Sequence, residues 1–172
     1  MRIYRKIIPK IAQDIIRNLS NKEFVEISSN AIEEAELDIA AILVEYQNAE
    51  DSISKEARKT LTAKGMSPEH YFQIKKNIAN MRGLKIGVDG LDYIIEQILE
   101  GLYISKNIEE IFAEDYEIKK IIKSIINKYM NISDDIDLLA RKRLKNIKEG
   151  TPEWEIEYPR IILQLRRQKG LV

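Results

Sequence analysis

The chain matches itself when it is shifted by 83 residues. Residues 46–61 read YQNAEDSISKEARKTL, and residues 129–144 read YMNISDDIDLLARKRL. Eight of these sixteen paired positions are identical, whereas unrelated segments of ordinary composition would share about one. Two similar amphipathic helices would explain the matching apolar residues but not the matching Asn, Asp, Arg and Lys. We therefore interpret the chain as an internal duplication, with one helical repeat at 1–86 and a second at 87–172.

Each repeat is predicted to contain three helices and no strand. The first helix lies near 5–19 in one repeat and near 89–104 in the other, where apolar residues recur at helical spacing. The second helix is longer, and its apolar stripe over some 30 residues predicts a rod of roughly 45 Å. The run from Asn131 to Asp135 could instead cap a new helix; we predict the continuous form. The two stripes are Ile32, Ala35, Ile39, Ile42, Tyr46, Ala49, Ile53, Ala57 and Leu61, then Ile118, Ile122, Ile125, Tyr129, Ile132, Ile136, Ala140 and Leu144.

The third helix of each repeat has specific start and stop signals. Ser-Pro-Glu at 67–69 and Thr-Pro-Glu at 151–153 each supply a capping hydroxyl, a proline at the first helical position and an early acidic residue. Gly83 and Gly170 are expected to end these helices. Pro159 lies inside the last helix, so we predict a kink or a restart there.

Two shorter features complete the predicted fold. Asp89 is expected to cap the first helix of the second repeat, and residues 107–112 are expected to form a short extra helix. The fold class is all-α: a two-repeat helical bundle with two long central helices and pseudo-two-fold symmetry. Such a chain already supplies both halves of the interface that a dimer of single units would form. We therefore predict a monomer with an internal pseudo-dimer.

Composition restricts the function classes. The chain has 28 basic and 28 acidic residues, so it lacks the overall basic excess of a dedicated nucleic-acid binder. It has no cysteine, which excludes disulfides and thiolate chemistry. No run reaches the roughly 20 apolar residues of a membrane span, and the N-terminal residues lack a signal-peptide core. We expect a cytoplasmic protein that does not insert into a membrane.

No pattern in the sequence indicates catalysis. His70 is the only histidine, and no partner for a general base lies near it in the sequence. The acidic run that contains Glu33, Glu34, Glu36 and Asp38 lacks the Glu-x-x-His pairs of helix-bundle di-metal sites, so it is interpreted as a solvated helix face. The sequence predicts no catalytic residue, no metal ligand and no cofactor.

Polar residues that recur in both repeats form the first candidate surface. They lie away from the apolar stripe of the long helices, where solvated positions have no packing reason to stay alike. One interpretation is structural, with the ion pairs Asp51–Arg58 and Asp134–Arg141 two helical turns apart. The other is a pair of equivalent binding patches. The residues are Asn48, Asp51, Arg58 and Lys59, then Asn131, Asp134, Arg141 and Lys142.

A basic tract near the C-terminus forms the second candidate surface. From Leu139 onward there are nine basic and four acidic residues, which suits weak contact with nucleic-acid phosphates. The alternative is a solvated face with cations that stabilise helix C-termini. The candidate phosphate-contacting residues, beyond the recurring ones, are Arg143, Lys145, Lys148, Arg166, Arg167 and Lys169.

Three segments resemble a known family: MRIY at the start, EGTPEWEIEYPR at 149–160, and RRQKG at 166–170. They are similar to a bacterial family known as "domain of unknown function 507", and the similarity extends over essentially the whole chain as a two-copy member. The resemblance implies a helical fold and brings no activity, cofactor or site residue. We predict a non-enzymatic helical adaptor that binds an unknown protein partner. The alternative is a nucleic-acid-associated protein that uses the basic C-terminal surface.

Overall fold

The computed structural model describes residues 3–171, and in this range the protein is an all-α helical bundle with one very small sheet. Two 3₁₀ turns, Arg5–Ile7 and Pro68–His70, precede α1 and α3. The elements follow in the order α1 (Ile8–Asn21), β1 (Val25–Glu26), α2 (Ile32–Ala63), α3 (Tyr71–Met81), α4 (Val88–Ile104), β2 (Glu110–Ile111), α5 (Asp115–Arg143) and α6 (Pro152–Gln168).

Four helices form the central bundle. Helices α1 and α4 each pack against both α2 and α5, so the two short helices alternate with the two long ones around one core. Burying these apolar faces together is the main stabilising contribution. The apolar positions predicted for the first helices are confirmed, since almost all are fully buried. The core includes Ile8, Ile11, Ile15, Leu19, Ile39, Leu43, Ile94, Ile98, Leu102, Ile118, Ile122 and Ile126.

The two long helices are continuous, as predicted. At 1.5 Å per residue, α2 and α5 span about 48 Å and about 44 Å, and Asn131 to Asp135 lie inside α5. Both extend beyond the short helices and there carry the third helix of their repeat. We call α2 from Asn48 onward with α3 the first arm, and α5 from Asp134 onward with α6 the second arm. Each arm has a small apolar core of its own, which contains Ile53, Ala57, Ile78 and Ala79 in the first arm and Ile136, Ala140, Ile162 and Leu165 in the second.

Ile3 and Tyr4 lie between the bases of the two arms. The side-chain amide of Gln47 on α2 donates a hydrogen bond to the carbonyl of Ile3. The Tyr4 side chain packs against both the central core and the core of the second arm. Both arms therefore leave the bundle at the same end. The two strands precede α2 and α5, so they lie at the opposite end.

The segment 107–112 contains the two-residue strand β2 and not the predicted helix. Val25 pairs with Ile111 and Glu26 with Glu110 in an antiparallel ladder, which the amide of Phe112 extends to the carbonyl of Phe24 at 2.9 Å. A helix of six residues has few internal hydrogen bonds to offset its nucleation cost, whereas the strand satisfies its backbone across the two repeats. The prediction of no strand is wrong for the same reason.

The start of α4 also differs from the prediction. The helix begins at Val88 with Gly87 as its N-cap residue, so Asp89 lies in the first turn. Gly87 has a φ of 69°, which glycine adopts with little strain. Gly90 faces the hydroxyl of Tyr46, where a Cβ atom would collide, and this space lets that hydroxyl donate to the carbonyl of Lys85 at 3.0 Å.

The third helices begin differently and end alike. The Thr151 hydroxyl accepts a hydrogen bond from the amide of Trp154 at 3.3 Å, as predicted, whereas Ser67 makes no side-chain capping bond. Gly83 and Gly170 end the helices at φ values of 67° and 66°, which confirms the predicted stop signals.

The last helix continues through Pro159, so it does not restart there, and a kink at this position stays a prediction. Proline has no N–H group to bond the carbonyl of Glu155 one turn earlier, but Glu155 is an exposed residue that water can reach. None of the helices described between residues 3 and 171 is long and apolar enough to cross a membrane. The pseudo-two-fold symmetry and the division at residues 86 and 87 stay predictions.

Candidate interaction surfaces

Arg141 joins the two helices of the second arm. Its Nε donates to Asp137 Oδ2 at 2.9 Å on α5, and its Nη1 donates to Glu149 Oε2 at 2.7 Å in the turn before α6. The hydrogen bonds to Glu149 and then to Asp137 raise the pKa of the Arg141 guanidinium, so the group stays charged. The predicted ion pair with Asp134 is wrong, because Asp137 lies one turn from Arg141 and Asp134 lies two turns away.

Two aromatic rings complete this contact. Trp154 and Tyr158 on α6 stack with their centroids 5.2 Å apart, and the Arg141 guanidinium lies 5.7 and 5.8 Å from the two rings. The Tyr158 hydroxyl donates a hydrogen bond to Asp137. The segment that most resembles the family, 149–160, therefore supplies the partners that hold α6 against α5. In this part of the candidate patch, Arg141 contacts residues of its own arm.

The first arm repeats only the arginine–aromatic contact. Arg58 lies 5.9 Å from the ring of Tyr71, which corresponds to Tyr158. Ser54 replaces Asp137, and residues 62–68 contain no acidic side chain. Asp51 accepts instead from Arg5 Nη2 at 3.3 Å, so the predicted pair Asp51–Arg58 is also wrong. The contact that Arg58 and Arg141 share is therefore the one with a tyrosine. The correspondence of Tyr71 with Tyr158 in the sequence could have indicated it.

The other recurring polar residues are solvent-exposed. Asn48 accepts from Arg5 Nη2 at 2.5 Å, so Arg5 joins Asn48 and Asp51 on the outer face of α2. For the corresponding pair on α5, no such arginine contact is present within residues 3–171. The exposed residues are Asn48, Asp51, Arg58, Lys59, Asn131, Asp134 and Lys142.

The structure separates the basic C-terminal residues into two groups. Arg143, Lys145 and Lys148 lie at the tip of the second arm, between α5 and α6. Arg166, Arg167 and Lys169 lie at its base, because α6 runs back toward the bundle for 17 residues, about 25 Å. Five of these six are exposed, whereas Arg166 is half-buried with its guanidinium 3.4 Å from the ring centroid of Tyr4. The two groups do not form one continuous patch.

The end of the molecule away from the arms carries a strong negative charge, which comes from two separate segments of the sequence. Residues 20–40 and 100–117, which we call the strand end, contain the two strands and the adjoining helix termini. Twelve of their fourteen charged side chains are acidic. Within residues 3–171 only one of the twelve is in an ion pair, Glu36 with Arg17 at 3.9 Å. The twelve are Glu23, Glu26, Glu33, Glu34, Glu36, Asp38, Glu100, Glu109, Glu110, Glu114, Asp115 and Glu117.

The strand end also exposes large apolar side chains. Ile104 is 78% exposed, Tyr116 70% and Phe112 59%. The Tyr103 hydroxyl donates to Asp115 Oδ1 at 2.6 Å, and this hydrogen bond is the main cause of the raised pKa of Tyr103. Five of the twelve exposed large hydrophobic residues described in the chain lie here: Leu37, Tyr103, Ile104, Phe112 and Tyr116.

A cleft of about 480 Å³ opens at this end beside the sheet. Glu23 lies on its wall with a φ of 58°, the left-handed region that favours glycine. Glu23 follows the end of α1, where the amide of Phe24 bonds to the carbonyl of Leu19. Gly65, Gly83 and Gly170 hold the corresponding positions after α2, α3 and α6. The cleft is lined by Ser20, Glu23, Val25, Glu26, Ile27 and Phe112.

The comparisons with known proteins give a family and no activity. The model of a family described as "Protein of unknown function (DUF507)" matches residues 1–171. No curated protein matches the chain. Within residues 3–171, no group of three or more His, Cys, Asp or Glu side chains is placed to hold a metal ion. His70 is exposed, and its Nδ1 lies 3.2 Å from the carbonyl of Ser67.

Proposed function

The chain belongs to the DUF507 family, and since the description of that family names no activity, we propose a function from the geometry: a non-enzymatic helical adaptor whose strand end binds a basic segment of another protein. The observation that carries this proposal is the combination of exposed apolar side chains with acidic side chains of which eleven of twelve make no ion pair within residues 3–171. Large exposed apolar groups rimmed by polar residues are typical of protein-binding surfaces. The acidic rim selects partners rich in Lys and Arg.

The cleft beside the sheet offers a place for one side chain of such a partner. Phe112, Val25 and Ile27 supply apolar contact, and Glu23 and Glu26 supply the negative charge. A segment with an apolar residue between lysines or arginines would match both features. Aromatic anchors in pockets commonly carry most of the binding energy of an interface.

The backbone of Glu23 supports a functional role for that residue. A non-glycine residue in the left-handed region costs on the order of 1 kcal/mol, and glycine would remove this cost without disturbing the helix end. Strained residues of this kind cluster at binding sites. A carboxylate needed by a partner is a physical reason to tolerate the strain at this position.

A capture experiment with matched variants tests the proposal. The tagged full chain would be incubated with native lysate that has been treated with nuclease, and the bound proteins identified by mass spectrometry. The strand-end variant carries Glu23→Lys, Glu26→Lys and Phe112→Ser. The control variant carries Glu69→Lys, Glu153→Lys and Phe72→Ser, which make the same changes at exposed positions on the arms.

The proposal requires a partner with a Lys- or Arg-rich segment that the control variant retains and the strand-end variant loses. A partner that both variants retain would move the binding surface away from the strand end. Loss from both variants at once would assign binding to net charge alone. The predicted cytoplasmic location and the monomeric state stay predictions.

The second candidate function is weak nucleic-acid binding at the tip of the second arm. Arg143, Lys145 and Lys148 are exposed there and make no ion pair within residues 3–171. Contact through phosphates would show little sequence preference and would fall steeply as salt rises. Fluorescence anisotropy with a labelled oligonucleotide should show this salt dependence. Charge reversal at Arg143, Lys145 and Lys148 should abolish the signal, and binding that is insensitive to both salt and charge reversal would exclude this candidate.

A further inference from the structure

A second cavity lies at the other end of the molecule, between α6 and the N-terminal segment. Its volume is about 390 Å³, and it is lined by Tyr4, Tyr158, Pro159, Ile162 and Arg166. Tyr158, Ile162 and Arg166 are spaced four residues apart, so they form one stripe along α6. Four of the five lining residues are apolar or aromatic, and the fifth is a cation. An apolar wall with one charge is the composition of a selective binding pocket.

Arg166 and Arg141, both in the second arm, differ in their contacts. Arg141 is bonded to two carboxylates, whereas Arg166 makes no ion pair within residues 3–171. The Arg166 guanidinium stacks on Tyr4 at 3.4 Å from the ring centroid, and its buried Nε finds no hydrogen-bond partner among the described residues. Stacking fixes the plane of the guanidinium but satisfies none of its N–H groups. A bound carboxylate would supply an acceptor for the outer Nη groups of the guanidinium, which have none among the described residues.

We propose that this cavity binds an acidic peptide segment of another protein. An apolar side chain of the segment packs against Tyr158, Pro159 and Ile162, and a neighbouring carboxylate pairs with the Arg166 guanidinium. The site is separate from the strand end and does not depend on the function proposed for it.

The lining favours an acidic peptide over a nucleic acid. Nucleic-acid affinity depends on several cations that neutralise successive phosphates, and here a single cation is among the lining residues. The remaining surface is apolar, which suits a Leu or Phe side chain. Within the pocket, the charge and the apolar wall lie on one helix stripe, so a short extended segment can reach both.

Trp154 gives a direct signal for binding. It is the only tryptophan of the chain, and its ring stacks on Tyr158, which lines the cavity. The experiment titrates the full chain with the acetylated and amidated peptide Glu-Glu-Leu-Glu-Phe-Glu-Glu and measures binding by calorimetry. The peptide contains no tryptophan, so any change in tryptophan fluorescence comes from Trp154 of the protein. The same peptide with Lys in place of every Glu, and an oligothymidine, are the comparison ligands.

Three variants separate the pocket from general charge. Arg166→Ala removes the guanidinium and should weaken binding of the acidic peptide by about tenfold or more. Pro159→Glu places a negative charge at the rim of the pocket, which repels the acidic peptide and should abolish binding. The fold should be no less stable, because a proline inside a helix removes a backbone hydrogen bond. Arg167→Ala removes one neighbouring cation outside the pocket and should retain most of the affinity.

The expected result is saturable binding of the acidic peptide with a change in Trp154 emission, and its loss in Arg166→Ala and Pro159→Glu. No binding of the acidic peptide, or tighter binding of the oligothymidine or of the Lys peptide, would overturn the proposal. Equal loss in Arg167→Ala would also overturn it, because binding would then follow net charge. Concentration-dependent self-association of the free chain that Pro159→Glu abolishes, together with no binding of the acidic peptide, would assign the pocket to a second copy.

Discussion

The two ends of the molecule use their charged residues in opposite ways. In the second arm, Arg141 contacts Asp137, Glu149 and two aromatic rings of its own chain. At the strand end, eleven of twelve acidic side chains make no ion pair within residues 3–171. Ion pairs within the chain stabilise the fold, whereas carboxylates that make no ion pair can attract the cations of another protein, even where they accept hydrogen bonds from neutral groups of their own chain, as Asp38 and Asp115 do. The contacts of Arg141 therefore stay within its own arm, and the strand end is the proposed region for binding a basic segment.

The two arms show the same distinction on a smaller scale. Both contain the arginine–tyrosine contact, at 5.9 Å for Arg58 and 5.8 Å for Arg141. Only the second adds carboxylates and a tryptophan around it among the residues that the structure describes. The recurrence of an arginine in both repeats therefore indicates a shared packing contact, and the surrounding residues determine how much that contact stabilises the fold.

The largest expected effect is on stability in the second arm. Arg141→Ala removes two carboxylate contacts, one of them with the largely buried Asp137. Since the Arg141 side chain is 39% exposed, solvent screening limits the loss, and we expect about 2 kcal/mol. Thermal unfolding followed by circular dichroism measures this. The neighbouring Arg143→Ala is the control and should melt like the parent protein.

A smaller effect of opposite sign is expected at the strand end. Glu23→Gly relieves the left-handed strain at φ 58° and should raise the free energy of unfolding by about 1 kcal/mol. The same change should weaken binding of the basic partner, because a carboxylate of the cleft is lost. Glu26→Gln is the matched control, since it removes a carboxylate of the same cleft from an unstrained backbone position. It should weaken binding without raising stability, and a stabilisation equal to that of Glu23→Gly would rule out strain as the cause.

The smallest effect is expected in the first arm. Arg58→Ala removes an exposed cation–π contact with Tyr71, which is worth about 0.5–1 kcal/mol. The drop in melting temperature should therefore be clearly smaller than for Arg141→Ala. Equal drops in the two variants would mean that the acidic partners of Arg141 contribute nothing, and the distinction between the arms would fail.

The helical bundle could be predicted from the sequence because its apolar residues recur at helical spacing. The stripes of α2 and α5, the Thr-Pro-Glu start of α6 and the glycine stops at 83 and 170 are local signals, and each is present in the structure. The strand at 110–111 could not be predicted, because its partner at 25–26 lies far away in the sequence. A strand of two residues is too short to show the alternation of apolar and polar side chains by which strands are recognised in a sequence.

The candidate sites were harder to predict because their partners are set by tertiary packing. Spacing along one helix suggested Asp134 for Arg141, but Glu149 and Trp154 come from the following turn and helix. The strand-end surface combines separate segments from both halves of the chain, so no single stretch of sequence displays it. The acidic residues of 20–40 and of 100–117 can be recognised as one surface only when β1 is known to pair with β2.

The most direct test of the strand end as a binding surface is an NMR titration of the isotopically labelled full chain with the peptide Lys-Lys-Leu-Lys-Phe-Lys-Lys. Saturable shift changes should concentrate in residues 20–40 and 100–117, with the largest near Glu23, Glu26 and Phe112, and they should be absent with the Glu-substituted peptide. Shift changes that spread over the arms, or that follow both peptides alike, would contradict the assignment of the strand end as the binding surface.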